Sequence, residues 1–171
     1  TAISKLGYGD RRINILLLGI GGENHPGGNL TDTIQVISID PKNKAVAMLS
    51  IPRDLYVKVK NYGSAKINAV LSIGTTDYAT TGSTKNTSKN TSSEMNFDLV
   101  KSTVGDFLGI PIHYSVLVNF DAFKKVIDIM GGVDIDVKTD LYDPLYPDEN
   151  VTGYDAFYVK KGEHHFDGET A

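Results

Sequence analysis

Arg53 and Asp54 stand directly after the apolar stretch 45–51, in Ser50-Ile51-Pro52-Arg53-Asp54. Proline cannot extend a sheet ladder and fixes the direction in which the chain leaves it. An arginine held rigidly at a strand end suits two-pronged recognition of phosphate or carboxylate. An Arg53–Asp54 ion pair closing a surface turn explains the pentapeptide equally well. Asp32, in Leu30-Thr31-Asp32-Thr33, sits where a glycine-rich loop re-enters a strand. A carboxylate there can ligand Mg2+, which takes one or two protein carboxylates beside substrate phosphates. In isolation a turn-capping aspartate is the simpler account. Lys66 opens a short helical pattern, where the helix dipole also favours an anion; exposed lysines are common, and alone it carries little.

Other polar groups point to less. Gly19-Ile20-Gly21-Gly22 follows a strand, but the third glycine of a dinucleotide fingerprint would fall at Asn24, and Pro26-Gly27-Gly28 opposes an immediate helix. A glycine loop that approaches a phosphate stays open beside a plain flexible loop. His25 lies in this loop, within reach of a ligand or simply in solvent. His164 and His165 are adjacent and lack the spacing of a helical metal pair. Ser50 has no histidine at motif spacing, so nothing supports a serine hydrolase.

The elements that must position these residues fit within 171 residues of 40% hydrophobic content, enough for one domain with a real core. The absence of cysteine excludes disulfide scaffolds, zinc–thiolate sites and cysteine nucleophiles. A formal charge of −4 argues against nucleic acid as a partner. Arg12 to Gly19 reads as a buried strand, Thr33 to Asp40 as a second and Ala45 to Ile51 as a third. Pro41-Lys42-Asn43-Lys44 joins the last two in an antiparallel hairpin. Leu55 to Val59 would extend the same sheet, and Lys66 to Ile73 reads as a short helix. Residues 75–93 are nearly all Thr, Ser, Asn, Lys and Gly, a flexible insertion with two chance-grade sequons at Asn86 and Asn90.

A helix capped by Thr91 and Glu94 would bury Phe97, Val100, Val104, Phe107 and Leu108, and end at Gly109. Tyr114 to Phe120 reads as a strand. Asp121 caps a helix with Phe123, Val126, Ile127 and Met130 on its buried face. Val133 to Val137 reads as a half-exposed strand, and the acidic run Asp140 to Glu149 as a surface excursion. Asp167 is an N-cap followed by barely one turn, so the natural protein is expected to continue. The fold class is α/β with a mixed sheet.

In chain order, these segments resemble the LytR–CpsA–Psr (LCP) family of bacterial cell-envelope phosphotransferases. The resemblance runs through Asn14-Ile15-Leu16-Leu17-Leu18-Gly19, Thr31-Asp32-Thr33, Ser50-Ile51-Pro52-Arg53-Asp54, Lys66-Ile67-Asn68-Ala69, Gly109-Ile110-Pro111-Ile112-His113-Tyr114 and Gly131-Gly132-Val133-Asp134. Phe166-Asp167-Gly168-Glu169-Thr170-Ala171 adds a Leu-x-Gly-x-x-Ala-like ending. The resemblance implies an α-β-α arrangement around a mixed, largely antiparallel sheet, as one LCP-like domain over 12–171 that is C-terminally incomplete. Residues 1–11 would be a tail following a missing membrane anchor, on the extracytoplasmic face.

The implied reaction moves a glycan from a polyprenyl-pyrophosphate carrier to peptidoglycan or another cell-wall acceptor. Asp32 matches a Mg2+ ligand; Arg53 and Lys66 match catalytic residues that hold the pyrophosphate, with Asp54 beside them at the substrate. A polyprenyl pocket would draw on Val70, Leu71, Val104, Phe107, Leu108, Leu117 and Phe123, which ordinary core packing explains equally. Three departures stand out: Gly21 where the family often has a second metal-binding aspartate, Leu30 where it often has arginine, and no arginine-rich motif beyond Ala171. Glu23, His25 or Asn29 would then supply a replacement metal ligand. With that motif absent, weak or no activity is expected of residues 1–171 alone. Pyrophosphate hydrolysis and a non-catalytic lipid- or polyanion-binding module are the alternatives.

Overall fold

The computed structural model describes residues 12–22, 28–73, 96–147 and 153–170. These gather into two compact units, the first from residues up to Ile20 and from Asn29–Leu117, the second from Gly21–Gly28 and from Val118 onward. The expected insertion at 75–93, its sequons, and Thr91 and Glu94 lie outside the described residues.

The first unit is built on a four-stranded sheet of order β3-β2-β1-β6, the centre of an α/β fold with a mixed sheet. Its strands are β1 (Ile13–Ile20), β2 (Thr31–Asp40), β3 (Ala45–Ser50) and β6 (Tyr114–Val118). Along β1 the residues alternate between buried and half-buried, so both faces hold apolar side chains and its sequence is nearly continuous in them. The hairpin of β2 and β3 is antiparallel, as its turn sequence predicts. Asp40 organises that turn: its carboxylate accepts from the backbone N–H groups of Lys42 and Asn43 at 3.1 and 3.0 Å, and from Arg12 Nη1 at 3.1 Å. The Asn43 hydrogen bonds, ahead of the Arg12 charge, hold the Asp40 carboxyl below the usual carboxylate range.

The segment after Arg53 does not extend this sheet. β4 (Tyr56–Val59) pairs instead with β5 (Gly63–Lys66) in a separate two-stranded ribbon. Alternation reports that one face is buried but not which sheet the strand joins, and Val57 and Val59 do point into the core. A 3-10 helix follows at Ile67–Ser72, close to the expected helix. Its Ile67, Val70 and Leu71 close the core against Leu16, Leu18, Ile34 and Val36 of the sheet and Val100 and Val104 of α1 (Phe97–Leu108). Asn96 caps α1 by accepting from Leu99 N at 3.0 Å, and Gly109, with φ at 69°, ends it as expected. Phe107 was expected on the buried face of α1; it is 51% exposed.

In the second unit, α2 (Phe120–Met130) begins one residue inside the strand expected to reach Phe120. Its cap is Asn119, whose side chain accepts from Ala122 N at 2.9 Å, not Asp121. Asp121 falls in the first turn, where its charge favours the helix dipole. Only Ile127 of the expected buried face is buried; Phe123, Val126 and Met130 are exposed. Replacing Asn119 with alanine should lower stability by about 1 kcal/mol in chemical denaturation, because the Ala122 N–H loses its capping acceptor.

β7 (Val133–Val137) pairs with β10 (Gly162–Phe166). β8 (Leu141–Pro147) pairs with β9 (Tyr154–Val159), so residues 141–147 of the acidic run read as an excursion form a ribbon strand. Aromatic contacts cross the ribbon: Tyr142 meets its partner Tyr158 edge-on at 6.3 Å, and Tyr146 lies 5.1 Å from Phe157. Asp167 does cap the closing turn, accepting from Glu169 N and Thr170 N. No helix among the described residues is long and apolar enough to cross a membrane.

Candidate functional site

Three stretches of backbone are laced together where β2 begins. Gly19 pairs with Thr33 and Ile20 with Thr31, leaving Asp32 as the extra residue of a β-bulge. A bulge re-aims side chains, and here it puts Asp32 and Thr33 both on the exposed side between buried Thr31 and Ile34. Glycine at 19 permits this approach, since a Cβ there would sit 2.9 Å from the Cβ of Thr33.

Buried Thr31 donates through Oγ1 to the carbonyl of Asn68 at 3.2 Å. The Asn68 N–H donates to the carbonyl of Arg53 at 3.3 Å, and the Ile67 N–H to that of Leu55 at 2.8 Å. Pro52 opens the turn between them, closed by Leu55 N donating to its carbonyl at 3.1 Å. Residues 31, 53 and 66–68 are distant in sequence, yet hydrogen bonds of the main chain fix their spacing. The sequence reading gave Asn68 no role. A polar residue buried inside the apolar run Ile67 to Leu71 was the signal available for it.

The charged side chains on this knot form a row of alternating sign. Arg53 Nη1 donates to Asp32 Oδ1 at 2.8 Å. Arg53 Nε lies 3.7 Å from Asp54 Oδ2, and Lys66 Nζ donates to Asp54 Oδ1 at 2.7 Å. All four side chains are between 44% and 61% exposed, so they are available to a ligand from solvent.

The Lys66 hydrogen bond, then its charge, holds the Asp54 carboxyl below its ordinary value of 3.8. The same bond, then the Asp54 charge, pushes the Lys66 ammonium above its ordinary 10.5. The signs are complementary. Asp54's contribution is present above the ordinary carboxylate value and lost as pH falls through the lowered one; Lys66's is present below 10.5 and lost as pH rises through the raised one. The pair is therefore intact throughout the neutral range, while its exposure keeps its effect on stability small.

Asp32, Arg53, Asp54 and Lys66 are thus brought together at the surface, while the apolar candidates Val70, Leu71 and Val104 lie in the core with Leu108 and Leu117 packed against it. Val70 is fully buried in the core and Leu117 packs against it. Phe107 lines a groove of about 590 Å3 between α1 and the β4–β5 hairpin, with Lys58, Lys60 and Thr103. The structure therefore does not join Val70, Phe107 and Leu117 as walls of one pocket. Glu23 and His25 lie outside the described residues. His165 pairs with Asp134 at 2.7 Å and His164 stacks on Phe166, both within the β7–β10 ribbon. His113 is structural: its Nδ1 accepts from Asn14 N at 2.9 Å, tying the Gly109–Tyr114 segment to β1.

The profile of the LytR_cpsA_psr family matches residues 4–171. The chain belongs to this family. Among LytR–CpsA–Psr proteins, the polyisoprenyl-teichoic acid–peptidoglycan teichoic acid transferase TagV of Bacillus subtilis (strain 168) is 39% identical over 144 residues, covering 82% of this chain and 30% of that protein. The crystal structure of B. subtilis TagV matches with a TM-score of 0.64 at 34% identity, over 94% of this chain and 54% of the solved one. TagT with bound octaprenyl pyrophosphate lipid matches with a TM-score of 0.62 at 29% identity, over 95% of this chain and 55% of that one. The chain thus spans about half the length of these solved LytR–CpsA–Psr structures.

Proposed function

We propose that this chain belongs to an extracytoplasmic phosphotransferase that moves a glycopolymer from a polyprenyl-pyrophosphate carrier onto the bacterial cell wall. The observation that carries this reading is the pair of exposed cations, Arg53 and Lys66, held side by side on the backbone knot that also presents Asp32. The relatives' names support it: TagV is a teichoic acid transferase and TagT has been seen with a polyprenyl pyrophosphate.

In this reaction the acceptor hydroxyl oxygen attacks the phosphorus that bears the glycan. The bond from that phosphorus to the bridging oxygen breaks, polyprenyl monophosphate leaves with the bonding electrons, and the hydroxyl proton passes to solvent. A glycan phosphodiester results. The protein's task is positioning and charge stabilisation rather than covalent chemistry. Arg53 can grip two phosphate oxygens through its planar fork, and Lys66 offers a mobile point charge to the leaving phosphate.

Asp32 fits a Mg2+ site of the kind completed by substrate. Its Oδ1 engages Arg53, its carboxylate is 44% exposed, and one hard oxygen donor beside substrate phosphates is an ordinary Mg2+ arrangement. Among the described residues no group of three or more histidine or acidic side chains could hold a metal, and Asp32 would contribute one carboxylate to a site completed by substrate phosphates. When bound, Mg2+ would neutralise and polarise the pyrophosphate. Arg53, now paired with Asp32, would turn its Nη1 toward phosphate.

Calorimetric titration checks this reading. A polyprenyl pyrophosphate should bind at least tenfold more tightly than the corresponding polyprenyl alcohol, which has the same chain without the charge. Equal affinities would overturn the reading.

A further inference from the structure

We propose that Asp54 is a positioning residue, an internal counter-anion that holds Lys66 beside Arg53 and leaves the remaining donors of both free for a phosphate. The inference rests on the phosphate-binding reading above and adds a role for the one charged member of the row with no function in it. An ionised carboxylate has no hydrogen to donate, so Asp54 cannot contact a pyrophosphate oxygen favourably. It nevertheless sits between the two cations, with Oδ1 at 2.7 Å from Lys66 Nζ and Oδ2 at 3.7 Å from Arg53 Nε.

Two side-by-side cations repel each other when no ligand is present, and long exposed side chains relieve that by swinging apart into water. The backbone does not allow Asp54 itself to retreat. The peptide before it is tied down by Asn68 N on the Arg53 carbonyl and the one after it by Leu55 N on the Pro52 carbonyl, while Ile67 N holds the Leu55 carbonyl just beyond. Those same hydrogen bonds carry Lys66 in beside it, so the carboxylate is anchored where it can pin both cations. Lys66 has three ammonium hydrogens and gives one to Asp54, keeping two for a phosphate. The geometry thus trades affinity for order: Asp54 weakens anion binding by its charge and keeps the donors aimed at one place.

The trade gives a signature that loss of structure cannot mimic, because disruption weakens binding while removal of a counter-anion strengthens it. Asp54→Asn should bind inorganic pyrophosphate about threefold more tightly by calorimetry, as a neighbouring negative charge is lost. Asp54→Ser, a second neutral replacement, should do the same, and Asp54→Glu should stay within twofold of the parent. The Lys66 ammonium signal in nitrogen-detected NMR should move away from its ion-paired position in both neutral variants and keep it in Asp54→Glu. Unchanged or weaker pyrophosphate binding in the neutral variants would overturn the proposal. Arg53→Ala and Lys66→Ala separate the two levels. If they lose pyrophosphate affinity while the neutral variants fail to gain it, only the role of Asp54 falls. If they bind as the parent does, the phosphate-binding reading falls with it.

Discussion

Replacing Arg53 with alanine is expected to reduce polyprenyl-pyrophosphate affinity about a hundredfold while barely moving the melting temperature. The first half follows from what the side chain offers a phosphate: two parallel charge-assisted hydrogen bonds, each among the stronger polar contacts a protein makes. The second half follows from its place. Arg53 is 56% exposed, packs against no part of the core, and its partners in the folded protein are exposed carboxylates. Surface ion pairs of this kind contribute little, so a shift under about 3 °C is expected. Arg53→Lys should recover part of the loss, leaving a deficit of about tenfold, because a point charge replaces a two-pronged grip. Calorimetry and thermal melting on the same samples read both halves. A hundredfold loss accompanied by a large fall in melting temperature would mean that Arg53 supports the knot rather than the ligand.

Gly168→Ala is the change with the largest expected effect on stability. The turn at 168–170 lies against α2 so closely that a Cβ on residue 168 would collide with the Lys124 carbonyl oxygen and meet its carbon at 2.7 Å. Those are helix backbone atoms and cannot swing aside as the tip of a side chain would. The turn must lift off the helix. It then loses the hydrogen bond from Gly168 N to Asp128 Oδ1 at 2.8 Å and the ion pair between Lys124 and Glu169 at 2.9 Å. A destabilisation of about 2–4 kcal/mol is expected, in the range of backbone overpacking. Chemical denaturation measures it, and amide exchange should show α2 and the turn opening together. A variant as stable as the parent would show that the turn docks elsewhere. This contact also accounts for the glycine in the Phe166–Ala171 segment, which the sequence presented only as a motif position.

What could be read from the sequence followed the range of the forces involved. β1, and the hairpin of β2 and β3, were legible because their apolar patterning and turn residues are local. The helix end at Gly109 was legible for the same reason, as it needs a left-handed residue at a fixed offset. The partner of β4 was not legible, since period-two alternation is identical whichever strand lies alongside. The faces of α2 show a related limit: the stripe of Phe123, Val126 and Met130 declares an apolar side without saying what lies against it. β8 and β9 were hidden by aspartates and prolines that read as loop, although tyrosine and phenylalanine pairs across the ribbon supply its contacts.

At the site, residue type alone named Asp32, Arg53 and Lys66 as candidates, and their order along the chain linked them. What the sequence could not contain was the bulge that turns Asp32 outward, because a bulge exists only in the register between two strands. Nor could it show that Asn68 binds the three segments together, since that depends on hydrogen bonds spanning 37 residues from Thr31.

The alternation of charge along Asp32, Arg53, Asp54 and Lys66 has a kinetic consequence. A row whose signs cancel has almost no field beyond its own dimensions, and the whole chain carries a net charge of −4. An anionic headgroup diffusing from bulk water is therefore not drawn in from a distance and meets the attraction only within a few ångströms of the cations. Capture would have to rely on the headgroup already being close, as it is when its hydrocarbon chain confines it to a surface. A site of this kind suits a ligand delivered in two dimensions and discriminates against free phosphates passing through in three.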